Sequence, residues 1–105
     1  MSDLTVTPTI FRRYPGGTVI ALFPELPANY SGSECVSYTH VGQHGDAHVP
    51  VVMCETEIAK PDEYRDLLIE LTQLGYVVDQ RRYENEQMRH ARWMAAQEVQ
   101  NGVVV

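Results

Sequence analysis

The segment from Pro61 to Gly75 sets the firmest limit on what this chain can fold into. Tyr64, Leu67, Leu68, Leu71 and Leu74 recur at helical spacing, Pro61 opens the first turn, Asp62 and Glu63 sit where the helix dipole favours acids, and Gly75 supplies the stop. A helix with one apolar stripe must lay that stripe on something. The flanking sequence is strand-like on both sides, so the partner is a sheet face.

Thr9 to Tyr14 and Thr18 to Phe23 read as two strands joined by Pro15-Gly16-Gly17, a turn in which Pro presets φ and Gly accepts the positive value that follows. A hairpin is expected. The second strand is apolar on both alternating sets, Val19, Ala21, Phe23 and Ile20, Leu22, which places it inside the sheet. The first carries Arg12, Arg13 and a nearby proline, which suits an edge. Pro24 to Ser33 reads as a surface loop.

Cys35 to His40 alternates as a third strand and Val49 to Thr56 as a fourth, joined through the His/Gly segment. A hairpin centred near His44 would bring Cys35 close to Met53 or Cys54. A disulfide between them is conceivable, but in a reducing compartment two buried thiols are the simpler expectation. Tyr76 to Tyr83 is a fifth strand. From Glu84 or Asn85 to Gln100 a second helix carries a thin stripe of Met88, Ala91, Ala95 and Val99, with Trp93 and Met94 beside it. Such a helix either docks or pairs with another chain, so a homodimer through it is one reading. The element order is β-β-β-β-α-β-α: an α+β domain over 1–83, with a mainly antiparallel sheet and one helix on a face, then a C-terminal helix and frayed tail over 84–105.

Length fits one domain: 105 residues bury roughly 65% of their unfolded surface without metals or disulfides. Fourteen acidic against eight basic residues give a net charge of −6, which argues against wrapping nucleic acid. The start shows no basic residues followed by an apolar run, and Val19 to Phe23 is far too short to span a bilayer. The expectation is a cytoplasmic protein with no membrane contact.

Function is expected in Tyr38-Thr39-His40-Val41-Gly42-Gln43-His44-Gly45-Asp46-Ala47-His48, which gathers three of the four histidines. His40, His44 and His48 are four apart, but Gly42 and Gly45 make a helix improbable, so that spacing does not imply one metal-binding face. On a hairpin His40 and His48 would face each other across the mouth with His44 at the tip and Asp46 nearby, an arrangement that leaves a metal site geometrically open. Glycines allow close backbone approach, successive amides form anion-binding nests, and Gln43 and the imidazoles add donors and acceptors. These residues suit a small polar or anionic ligand or a partner's polar surface; they equally suit a tight turn solvated by water. Ser37, Cys35 or Thr39 with His40 and Asp46 are the hydrolytic candidates, none in a recognisable activating context. Arg12-Arg13 and Arg81-Arg82 are the basic doublets, and on strands only one side chain of each pair can join a given site. The candidate ligand-binding set is therefore Tyr38, His40, Gly42, Gln43, His44, Gly45 and His48, with Arg12 and Arg81. No catalytic residue, metal or cofactor is assigned.

Phe11-Arg12-Arg13-Tyr14, Val19-Ile20-Ala21-Leu22-Phe23-Pro24, Cys35 through Gly45 with its His-Val-Gly-Gln-His-Gly block, and Pro61-Asp62-Glu63-Tyr64 followed by Leu74-Gly75-Tyr76 come in a distinctive order. Over about residues 9–83 this resembles a family of small proteins encoded by bacteriophages and other mobile elements of bacteria. The tail from Glu84 departs from that pattern, and the family brings no catalytic residues to carry over. The resemblance implies a setting: accessory proteins of mobile elements are often inhibitors of host defence. They bind a defence complex, as anti-CRISPR proteins do, or sequester a signalling nucleotide. The sequence thus reads as a non-enzymatic counter-defence binding protein acting in the bacterial cytoplasm, its partner a host defence protein or small nucleotide. The alternative is a small metal-dependent or histidine-based hydrolase using the same hairpin.

Overall fold

A computed structural model describes residues 6–39 and 43–102, with side chains through residue 98. β1 (Val6–Arg13) and β2 (Val19–Pro27) form the expected antiparallel hairpin, with Ile10 opposite Leu22 and Arg13 opposite Val19. β3 (Glu34–Tyr38) pairs with the other side of β2 across a register shift between Phe23 and Pro27, and β4 (His44–His48) pairs antiparallel with β3. Then come α1 (Val49–Glu55), β5 (Glu57–Ile58), α2 (Pro61–Gln73), β6 (Val77–Arg81) and α3 (Glu86–Gly102). The sheet order is β4-β3-β2-β1-β5, and β6 lies parallel to the first part of β1, Val6 opposite Val77. The fold is the expected α+β arrangement with a mostly antiparallel sheet.

Both faces of the sheet are covered. Phe11, Ala21, Phe23 and Tyr38 pack under Leu67 and Leu71 of α2. Ile10, Ile20, Leu22, Cys35 and Ala47 pack under Val49 and Val52 of α1. Each alternating set of β2 serves one of these cores, which explains why the strand is apolar on both. The α2 stripe packs as its spacing predicts except at its end, where Leu74 is the C-cap and lies exposed. Glu63 accepts a hydrogen bond from the Lys60 backbone N–H at 2.8 Å, fixing the start of the helix. No helix among the described residues is long and apolar enough to cross a membrane.

Four expectations are corrected. β1 is not an edge strand: it lies between β2 on one side and β5 and β6 on the other. Its Arg12 is buried, with Nε and Nη2 of the guanidinium both hydrogen-bonded. Nε donates to Thr56 Oγ1 at 2.9 Å, and Nη2 donates to the carbonyls of Thr56 and Met53 at 2.6 and 3.1 Å.

Residues 49–55 form a helix rather than a fourth strand. Pro50 fits the first helical turn, Val49 and Val52 at i, i+3 both reach the core, and Arg12 satisfies carbonyls at the helix end. Tertiary contacts here override the β-preference of valine.

Because that segment is helical, Cys35 lies opposite Ala47, Cys54 is exposed on α1, and both cysteines are free. Cys54 is therefore not the buried thiol expected of it.

Through residue 98 the buried stripe of α3 is Met88, Arg92 and Ala96, turned from the expected one, whose Val99 lies outside the described side chains, and Trp93 and Met94 face outward. The helix docks along β2. Arg92 Nε donates to the Gly32 carbonyl at 2.8 Å, Nη1 donates to the Pro24 carbonyl at 2.7 Å, and Nη1 also pairs with Glu84. Gly32 has φ +77, and a Cβ there would stand 3.1 Å from the Trp93 Cα, so the helix rests directly on glycine.

Candidate functional site

The β3–β4 ladder decides which side chains of the histidine segment act together. Thr39 N–H donates to the Gln43 carbonyl at 3.1 Å, and below that closure Tyr38 lies opposite His44, Val36 opposite Asp46 and Glu34 opposite His48. Strand partners share a face and neighbours alternate. His44, Asp46 and His48 therefore stand on the α2 side of the sheet, with Tyr38, while Gly45 and Ala47 turn to the α1 side with Ser37 and Cys35.

The end of α2 supplies the second half of the site. Gly75 at φ +104 follows the Leu74 C-cap, its N–H donates to the Thr72 carbonyl, and the Tyr76 N–H donates to the Leu71 carbonyl, both at 3.1 Å. This glycine-terminated turn throws Tyr76 back over the sheet. The Tyr76 ring stacks on Phe23 with centroids 4.8 Å apart, and its hydroxyl lies 3.0 Å from His44 Nε2. The Tyr38 ring meets the His44 ring edge-on at 4.7 Å, and its hydroxyl donates to Glu70 of α2. An exposed imidazole is thus gripped by two tyrosines that are themselves anchored in the core and on a helix.

Tyr38, Gln43, His44 and Gly45 come together at this end of the hairpin, where Thr39 Oγ1 also donates to Gln43 Oε1 at 3.2 Å. His48 stands at the other end of β4, opposite Glu34. That corrects the expected hairpin: His44 is the first residue of β4 and not the tip, and the residue opposite His48 is Glu34, because Thr39 pairs with Gln43. His40 and Gly42 lie outside the described residues. Arg12 is buried on the α1 side, donating to α1 and Thr56. Arg81 is on β6 at the far side of the sheet, with β3, β2 and β1 between it and β4. Its Nε donates to Asp79 at 3.0 Å, and that carboxylate raises the guanidinium pKa further. Neither arginine joins the histidine cluster.

The hydrolytic candidates are split between the two faces. Ser37 and Cys35 point away from the side on which His44 and Asp46 stand, so neither can pass a proton to His44; His40, the imidazole of the expected set, lies outside the described residues. Burial also pushes the Cys35 thiol up to about 11, against a smaller opposing pull from Arg92, so it is neutral at physiological pH. Among the described residues, no three His, Cys, Asp or Glu side chains of one chain are grouped to hold a metal.

No protein-family model, curated protein or solved structure matches the chain. The meaning of the site therefore rests on its geometry. Sequence reasoning missed Tyr76 and Glu70. The available signal for Tyr76 was its place directly after the glycine stop; for Glu70, it was its position three after Leu67, on the shoulder of the buried stripe.

Proposed function

We propose that the chain is a non-enzymatic binding protein whose recognition surface is β4 together with the His44–Tyr76–Tyr38–Glu70 cluster. The observation that carries this reading is an open polar edge whose first residue, His44, is held from behind. His44, Gly45, Asp46 and His48 are exposed, whereas the groups that hold His44 are anchored in the core and on α2. Recognition of a protein partner benefits from such pre-organisation, since little side-chain freedom is lost on binding. A hydrolase using these residues needs a nucleophile beside the imidazole, and Ser37 and Cys35 lie on the other face.

The resemblance to phage and mobile-element proteins supplies the setting, a host defence complex as the partner. The test is phage plating on a bacterium with an active defence system, with and without the chain expressed. The chain raises plating efficiency, His44→Ala and Asp46→Arg abolish the gain while folding normally, and Arg89→Ala on α3 leaves it intact. Full protection by both β4 variants, or turnover of a signalling nucleotide by the purified protein, overturns the reading.

A further inference from the structure

β4 closes one side of the sheet, and its outer edge has no strand beside it among the described residues. It contains no proline, no lysine and no bulge; of the features that block pairing of exposed edges it has only its length of five residues and one carboxylate, Asp46. Its hydrogen-bonding phase is fixed by the Thr39 to Gln43 closure. Counting along the ladder from that bonded pair, Gly45 and Ala47 direct N–H and C=O toward β3, while His44 and Asp46 direct theirs outward, as does the N–H of His48, whose carbonyl is taken by the start of α1. The residues with free backbone groups are thus the same residues whose side chains share the α2 face. Neither Asp46 nor His48 makes a side-chain hydrogen bond or ion pair among the described residues, and His48 makes no cap bond to α1.

A second copy added antiparallel about a twofold axis through Asp46 sets His44 opposite His48 of the other copy, Asp46 opposite Asp46, and His48 opposite His44, joined through both backbone groups of Asp46 and through the His48 N–H to the His44 carbonyl at each end. Directly opposite residues stand about 5.5 Å apart at Cα, and next-but-one residues on a strand about 7 Å apart. Each end of the joint then holds two imidazoles and a carboxylate, from two chains, within reach of one ion. Two carboxylates directly opposite repel, so without a cation this pairing is disfavoured. We propose that a divalent cation of the zinc class bridges two copies of this chain through β4. Each ion is held by His44 and Asp46 of one copy and His48 of the other, with water in the fourth position. The His44 Nε2 to Tyr76 hydroxyl contact becomes the supporting bond that orients a metal-bound imidazole, with Nδ1 as the ligand. This inference does not rest on the binding function above, because it is read on the purified chain alone.

The experiment is native mass spectrometry and sedimentation of the full chain carrying Cys54→Ser, which removes the exposed thiol as a competing ligand. Zinc chloride converts monomer to dimer with about two zinc ions per dimer. EDTA reverses the change, and magnesium does not produce it. His44→Ala and His48→Ala each weaken zinc-induced dimerisation by at least about tenfold, with unchanged melting in EDTA. Mixing the two variants restores a heterodimer holding about one zinc ion, because one complete site then remains. A dimer that persists in EDTA, zinc uptake without dimerisation, wild-type dimerisation by either variant, or failure of the mixture to form the heterodimer overturns the proposal.

Discussion

Replacing Arg92 by alanine is the sharpest test of how α3 is held. The side chain is only 4% exposed, and it donates to the Gly32 and Pro24 carbonyls and pairs with Glu84, whose own side chain is 7% exposed. Alanine leaves a buried carboxylate with only the half-exposed Arg89 beside it, and two carbonyls without the donor they had. Breaking a buried pair from one side costs about 3–5 kcal/mol. Domains of this size have about 5–15 kcal/mol in total. With a urea dependence of about 1–3 kcal/mol per molar, the midpoint should fall by roughly 2 M.

Urea unfolding followed by far-ultraviolet circular dichroism and by Trp93 fluorescence measures this directly, since Trp93 lies on the same helix beside Gly32. Two controls give the number its meaning. Arg89 also pairs with Glu84, at 3.3 Å, but its side chain is 52% exposed, so Arg89→Ala should cost under about 1 kcal/mol. Glu84→Gln keeps an acceptor for Arg92 and should cost about 1–3 kcal/mol, less than Arg92→Ala. If Arg92→Ala matches Arg89→Ala, or shifts the midpoint by under about 0.5 M, the buried arginine is not what seats the helix.

Three further outcomes follow from other contacts. The Cys35 thiol titrates at about 11 in the fold against 9.0 for a free thiol, so the unfolded chain loses its proton first as pH rises. Stability is whole below pH 9 and falls by about 2–3 kcal/mol between 9 and 11; Cys35→Ala should flatten that slope relative to wild type in urea unfolding at pH 8 and 10.5. Gly32→Ala puts a side chain at φ +77 and against the Trp93 backbone, so it should cost about 1–3 kcal/mol and change Trp93 fluorescence in the native state. Tyr76→Phe keeps the stack on Phe23 but loses the bond to His44; its melting point should stay within a few degrees of wild type, while phage protection falls. A large loss of stability there would mean that the cluster serves the fold rather than recognition.

The hairpin, the interior place of β2 and α2 with both its ends were legible because each follows from local chemistry: a Pro-Gly-Gly turn, two apolar alternations, a proline start and a glycine stop. The segment 49–55 was not legible. Its valines favour strand, and only the reach of Val49 and Val52 into one core and the Arg12 bonds to its last turn decide for helix. That misplaced strand carried the site with it, since it set His44 at a tip when the register makes it the first residue of an edge strand. The phase of α3 failed for a related reason: its core stripe includes a charged residue that apolar periodicity discards.

Arg12 and Arg92 solve one physical problem in two places. α1 has seven residues, and among the described side chains the buried stripe of α3 has one alanine and one methionine besides its arginine, so each gains from a polar clamp to the sheet. A planar guanidinium can serve several acceptors in fixed directions, as a lysine cannot, and each arginine donates to two backbone carbonyls: Met53 and Thr56 in one case, Pro24 and Gly32 in the other. Both clamps gather the chain around β1 and β2, at the middle of the sheet. β4 is left at the margin with its outward backbone groups and its His-x-Asp-x-His face uncovered, although nothing in a stable monomer requires that exposure. An edge left open while the rest of the chain is pinned by buried charge is where contact with another molecule encounters the least internal competition.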